Sequence, residues 1–411
     1  MLFYMRIAYV SFEYPPDTAV GGIATYVYQV SKMMKSRGHD IEVFCSSPTR
    51  NVSEIYEDGI LVHRILTNDR VAFPEQILPI FEKQHTQQPF DLIESPEFYG
   101  DGIAIKKRFP ALPLVVKLHT PKYFIQELDT HYASQIPTSY QKFRFQLGGL
   151  IRGTIRKPYW IDTKWKKSVT DTDYIVTSLA DQIHTPSISL GDIVAKKWGI
   201  SRSRILNVPY PFIPNESFLR IPVVATATKN VTFTGRLEIR KGLVELVKAI
   251  PAICAAVPGV RFRFVGKPVH STVPGMNMQE YIEANLRSYS SQLEFMQLTP
   301  SEIPTVLAQT DVCVFPSIWE NFPNVCLEAM SAGRAIVGSE QGGMKDMLEQ
   351  PEAGILVNPL DSKAIAAAVI KLLNDAELRV KLGTAARQKI LSAYNKEVIG
   401  DLMEKQYKRM L

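Results

Sequence analysis

Short apolar runs rich in β-branched residues alternate with helical patterns along this chain, in two successive series. In the first series the strand candidates are residues 6–12, 40–47, 60–65, 91–95, 113–120 and 174–178. In the second they are residues 230–235, 261–266, 293–297, 311–315, 335–339 and 354–357. Between the first two runs, Ile23, Val27, Val30 and Met34 recur at helical spacing, and Gly38 stands where that helix would stop. Strands that read as continuous apolar runs are buried on both faces. Strands alternating with helices pair in parallel under helices. The pattern predicts an α/β protein with two Rossmann-like, doubly wound domains facing each other across a cleft, since ligands of such sheets bind beyond the carboxyl ends of the strands. The length of 411 residues also exceeds one ordinary core. The expected division is into two domains, 1–207 and 208–391. Residues 392–411 read as an amphipathic helix crossing back to the first. The stretch 207–229, with four prolines and weak periodicity, reads as linker.

Composition adds exclusions. The chain is 45% apolar and 21% charged, as expected of a soluble globular protein, and no apolar run is long enough to span a bilayer. The opening MLFYMRIAYV lacks a charged leader and a cleavage site, so it reads as a first strand. Cys45, Cys254, Cys313 and Cys326 form no CxxC pair and read as reduced, buried thiols of a cytoplasmic protein. The net charge of +6 is concentrated: residues 142–167 hold eight Lys or Arg and one acid, Asp162. Nothing in this distribution points to nucleic acid. Phe143, Leu147, Leu150, Ile151 and Ile155 recur at helical spacing in that segment, with Tyr159, Trp160 and Trp165 after them. This suits an anionic membrane surface, a peripheral place on the inner face of the plasma membrane, although Gly148-Gly149 interrupts the pattern. A packed helix with a solvated basic face is the plainer alternative.

Four loops carry candidate chemistry. Gly21-Gly22 follows the first strand and precedes a helix, where backbone can approach an anion. It is not GxGxxG, which disfavours a nicotinamide dehydrogenase. Arg236 and Lys241 follow the first strand of the second series and suit a pyrophosphate. The stretch ENFPNVCLE places Glu320 in a loop and Glu328 within the following helix, with Pro323 suited to the first helical position. Two carboxylates beside free helix N–H groups suit a ligand that carries both hydroxyls and phosphate. Helix capping accounts for one Glu but not for the pair. Asp171-Thr172-Asp173 has a metal-binding look, yet it precedes the strand candidate 174–178 and so falls at the wrong end of a parallel sheet. No metal-ligand constellation is visible.

These motifs together resemble the retaining glycosyltransferases of family 4, of GT-B architecture. ENFPNVCLE is similar to the family's Glu-x7-Glu motif, SFEYPPDTAVGG to its first-strand loop and RGHDIEVF to its second strand. VVKLHTP resembles its amino-domain His motif, GRLEIRKG its pyrophosphate motif and QGGMKDML its Gly-Gly-x-x-Glu segment, with Asp346 in place of Glu. The resemblance implies roles. Glu328 would bind the ribose hydroxyls and Glu320 the donor hexose. Asn321, Phe322, Pro323 and Asn324 would line hexose and phosphates through backbone groups. Gln297 and Leu298 would join the donor site, and Gly21 and Gly22 would approach it from the other domain. Arg236 and Lys241 would neutralise the departing diphosphate, and His119 would sit at the reacting face of the sugar. The implied activity is metal-independent hexosyl transfer without a cofactor, from a UDP-sugar such as UDP-glucose, to a saccharide or lipid-linked acceptor in polysaccharide or glycolipid synthesis. GDP- and ADP-sugars stay open. So do a nucleotide-sugar epimerase, which would turn over without an acceptor, and a non-catalytic sugar or membrane-surface binder.

Overall fold

The computed structural model describes residues 4–18, 21–56, 58–133, 171–273 and 275–411. The basic segment 142–167 lies outside them. Fourteen strands form two sheets among the described residues.

The first sheet is built from β1 (Arg6–Val10), β2 (Asp40–Ser47), β3 (Val52–Ile55), β4 (Leu61–Leu66), β5 (Leu92–Pro96), β6 (Leu114–Lys117), β7 (Gln182–Thr185) and β8 (Ile205–Asn207), in the order β3-β4-β2-β1-β5-β6-β7-β8. Every pairing is parallel except β3 with β4. The second sheet is built from β9 (Asn230–Thr234), β10 (Arg261–Val265), β11 (Leu293–Met296), β12 (Val312–Phe315), β13 (Ala335–Ser339) and β14 (Ile355–Val357), in the order β11-β10-β9-β12-β13-β14, all parallel. In each sheet the chain winds away from its first strand and then returns to that strand's other side. The switch points lie at β1/β5 and at β9/β12, where parallel sheets bind ligands. The loops after β1, β9 and β12 carry Gly21-Gly22, Arg236 with Lys241, and Glu320.

One strand expectation fails. Residues 174–178 are not a strand but the middle of a helix, Thr172–Leu179. Its β-branched run is misleading because local hydrogen bonds favour the helix. Asp171 caps it by accepting from Asp173 N at 3.2 Å, and the Thr177 hydroxyl bonds back to Asp173 O at 2.7 Å. The strand comes later, as β7. This also removes the reason given for setting aside Asp171 and Asp173, which stand beside the loops after β5 and β6. The backbone N–H groups of Tyr99 and Lys122 both donate to Asp173 at 2.9 Å, and Lys122 Nζ is 3.7 Å from Asp171. Among the described residues no three His, Cys, Asp or Glu are grouped so as to hold a metal, and no helix is long and apolar enough to cross a membrane.

The helix Lys396–Tyr407 lies against the first sheet's unit. Arg37 meets Glu397 at 3.0 Å and Glu404 at 2.6 Å, Gln182 donates to Gln406 O at 2.9 Å, and the Tyr407 hydroxyl donates to the buried Glu94.

Candidate active site

The loop between β12 and the helix Asn324–Ser331 is the centre of the site, and its neighbours hold it at almost every residue. Ile318 N donates to Arg240 O at 3.0 Å. Trp319 is buried, stacks edge-on with Phe124 of the first unit at 4.7 Å and donates from Nε1 to Ser189 Oγ at 3.2 Å. Asn321 spans the two units: its Nδ2 donates to the backbone oxygen of His119, and its Oδ1 accepts from Ser187 Oγ at 2.8 Å. Phe322 is buried between Tyr210, at 5.6 Å, and Tyr394, at 5.2 Å. The side chains of Asn321 and Phe322 are therefore committed to packing, and only their backbone can face a ligand. Pro323 is the residue before the helix rather than its first, with φ −73° and ψ 123°.

A second loop pins this one from behind. Gly343 N donates to Glu320 O at 2.8 Å. A Cβ on Gly342, where φ is +71°, would stand 2.1 Å from Glu320 O, and one on Gly343 would stand 1.6 Å from Asn321 O. No other residue lets the backbones come this close. Asp346, three residues on, accepts at 2.7 Å from Ile188 N at the start of the helix Ile188–Trp198. A carboxylate at a helix N-terminus is favoured by the dipole, so this residue joins the two units. The family resemblance alone does not suggest that role.

The charged groups divide by environment. Glu320 and Lys241, largely shielded from solvent, form an ion pair 79 residues apart in sequence. Burial pushes the Glu320 carboxyl up, but the nearby charges of Lys241, Arg240 and Arg236 outweigh it and hold it below the usual range. Arg236 is 61% exposed at the end of β9, with Glu238 3.5 Å away. Glu328 is half-buried and has no hydrogen-bond or ion-pair partner among the described residues. Burial alone pushes its carboxyl up to about 7.

His119 closes the site from β6. Its backbone N–H donates to both oxygens of Glu97, at 2.8 and 2.9 Å. Its Nδ1 lies 2.6 Å from the Tyr210 hydroxyl, and its Nε2 is buried with no partner among the described residues. Burial first, then the charges of Lys117 and Arg70, holds the imidazole well below the usual histidine range, so it is neutral. Gln297 is exposed and Leu298 half-buried, directly after β11. Asn324, half-buried, opens the helix. Gly21 and Gly22 are exposed at the start of the helix Gly22–Ser36, and Gly21 is in extended conformation. A Cβ on Gly22 would meet nothing within 4 Å, and one on Gly21 only Glu13 Oε2 at 3.4 Å. The fold does not demand glycine at either position.

The sequence reading missed Tyr210, Ser187 and Glu97. Tyr210 lies in the proline-rich stretch taken as linker, and its only signal was an aromatic residue between two prolines.

Residues 21–211 match the family model described as a glycosyl transferase 4-like domain, and residues 228–375 match that described as glycosyl transferases group 1. The chain belongs to the family-4 glycosyltransferases. The glycosyltransferase is 24% identical over 410 residues to the glycogen synthase of Mycobacterium tuberculosis, covering 96% of this chain and 92% of that protein. It is 23% identical to the D-inositol 3-phosphate glycosyltransferase of Acidothermus cellulolyticus, covering 90% and 82%. Among solved structures, sucrose-phosphate synthase of Thermosynechococcus elongatus superposes with a TM-score of 0.70 at 20% identity, covering 98% of this chain and 99% of that one. Anabaena HepE in complex with UDP-glucose gives 0.62 at 17% identity, covering 98% and 100%. The glycosyltransferase has the GT-B fold of these neighbours.

Proposed function

We propose that this glycosyltransferase moves a hexose from a nucleoside diphosphate sugar, UDP-glucose or a related UDP-hexose, to a saccharide or lipid-linked acceptor with retention at the anomeric carbon. The observation that carries the reading is the contrast between the two carboxylates of one motif. Glu320 is already neutralised by Lys241, with Arg240 and Arg236 as further cations nearby. Glu328 is shielded and has no partner among the described residues, which leaves its oxygens open to hydroxyl donors. A ribose would satisfy Glu328, the hexose Glu320, and the diphosphate Lys241 and Arg236. The Anabaena structure solved with UDP-glucose lends support at the level of the fold.

In this reaction the bond from the anomeric carbon to the diphosphate oxygen breaks and a bond to the acceptor oxygen forms on the same face. The leaving diphosphate takes the acceptor's proton. Lys241 and Arg236 hold the charge that grows on the diphosphate, and preorganised cations do this without a metal ion. The test is a calorimetric screen of UDP-, GDP- and ADP-sugars, followed by the anomeric configuration of the product and an assay in EDTA. An inverted product, or activity abolished by EDTA, overturns the corresponding part.

Gly22→Ala probes the approach from the first unit. Because a methyl there meets no protein atom, the melting temperature stays at the parent value while donor affinity falls about 10-fold, the scale of one misplaced methyl at a ligand. Unchanged affinity would remove Gly22 from the site. The basic segment 142–167 is proposed to dock on anionic lipid, with roughly 1 kcal/mol from each basic residue near the surface. Sedimentation with vesicles of graded anionic content should rise with that content and fall with salt. No binding, or binding indifferent to both, would favour a soluble acceptor.

A further inference from the structure

We infer that Tyr210 is a positioning residue for the transfer reaction: its phenol donates to His119 Nδ1, fixes the ring proton on Nε2, and so presents an N–H to an oxygen of the donor sugar. The inference rests on the placing of His119 at the reacting face of the donor.

The backbone of His119 is fixed before Tyr210 acts. Its N–H is held by Glu97, and its carbonyl accepts from Asn321 of the donor loop. What remains free is the orientation of the ring and the choice of which nitrogen carries the proton. Tyr210 settles both. Its hydroxyl lies 2.6 Å from Nδ1; the Asn321 side chain also bonds to it, but through an amide N–H that donates and cannot take the phenol proton. If Nδ1 carried the proton, the phenol proton would be left buried without an acceptor, at the cost of an unmade hydrogen bond. The arrangement that satisfies both groups has the phenol donating and Nδ1 accepting. The imidazole is neutral, so its single proton is then on Nε2, the atom that is buried with no partner among the described residues. Burial also raises the phenol well above its ordinary range, so it keeps its proton.

The ring of Tyr210 is itself clamped from both units. Tyr26 packs at 4.8 Å and Lys117 Nζ stands 5.2 Å over its face, both from the first unit. Phe322 of the donor loop meets it edge-on at 5.6 Å. Phe322 sits between the residues proposed to hold the hexose and those lining the phosphates. Tyr210 therefore bridges the donor loop and the imidazole. A residue in the connecting stretch thus links the donor loop to the group proposed to face the sugar.

Tyr210→Phe keeps the ring and removes the hydroxyl. The expected result is an unchanged melting temperature, unchanged nucleotide affinity and a turnover number lower by about 10-fold, the scale of one lost hydrogen bond. Nitrogen-15 NMR of the ligand-free protein reads the tautomer directly, with the His119 signals identified by their loss in His119→Gln. The parent should show the proton on Nε2, and Tyr210→Phe should lose that preference. A parent with the proton on Nδ1, or a Phe variant with unchanged tautomer or unchanged turnover, overturns the inference, and the parent measurement needs no variant to fold. Full turnover in His119→Gln would instead overturn the placing of His119, whatever the tautomer result.

Discussion

Replacing Arg236 and Lys241 together with Ala lowers turnover at saturating donor by at least ~100-fold, the loss produced by removing one preorganised stabiliser of developing charge. The two cations contribute differently. Arg236 is exposed and weakly paired, so Arg236→Ala leaves the melting temperature at the parent value. Lys241 neutralises Glu320, and its removal leaves that carboxylate shielded and charged with only the weaker influence of Arg240 and Arg236. A carboxyl held below its ordinary range stabilises the fold above the unfolded pKa, and that contribution is lost as the pH falls through the lower, folded value. Lys241→Ala is therefore less stable than the parent at pH 7, and the gap narrows below about pH 4.5. Steady-state kinetics and thermal melts from pH 4 to 8 check both halves. Turnover within tenfold of the parent would mean that other groups neutralise the diphosphate.

Glu328→Gln is expected to weaken nucleotide binding by about 10-fold, within the range for losing a hydrogen bond to a charged group, while making the ligand-free protein more stable. The two effects share one cause. With the carboxyl pushed up to about 7 by burial, the native state holds a proton between roughly pH 4.5 and 7 that the unfolded chain has released. Stability of the parent then falls as the pH rises through that window and levels off above it. Gln carries no such charge, so the variant's advantage is absent near pH 4.5 and reaches on the order of 1–3 kcal/mol above pH 7. Nucleotide affinity of the parent should rise over the same window as the acceptor ionises, and that of the variant should stay flat. Calorimetry at pH 6 and 8 with parallel melts decides it. A variant that binds as the parent does would remove Glu328 from the site.

Most of the fold was legible because parallel strands buried on both faces are written as apolar runs. The second sheet was read strand by strand for that reason. Strand β7 was not legible: three of the four residues of its sequence QIHT are polar, and its cover comes from the far end of the chain, where Gln182 bonds to Gln406 and His184 stacks on Tyr407. No local pattern carries such a partner. The reversed reading of residues 174–178 has the opposite cause, since a β-branched run was read by propensity where an Asp cap and a Thr back-bond decided. At the candidate site, the motifs were legible in the sequence, but the partners of their residues were not. The pairing of Lys241 with Glu320 spans 79 residues, and the contact of Tyr210 with His119 spans 91. Asp346 looked like a shortened family residue. Its carboxylate proves to be spent on the start of a helix in the other unit.

The return of the helix Lys396–Tyr407 to the first unit also sets a timetable for biosynthesis. Glu94 leaves the ribosome 313 residues before Tyr407, the residue whose hydroxyl covers it. At a synthesis rate of about 5–20 residues per second, roughly 15–60 seconds separate the two. Through that interval the nascent first unit carries an unshielded face beside β5 and at Arg37, however well its sheet has formed. The stretch of chain that ends its exposure is made only after the whole second sheet.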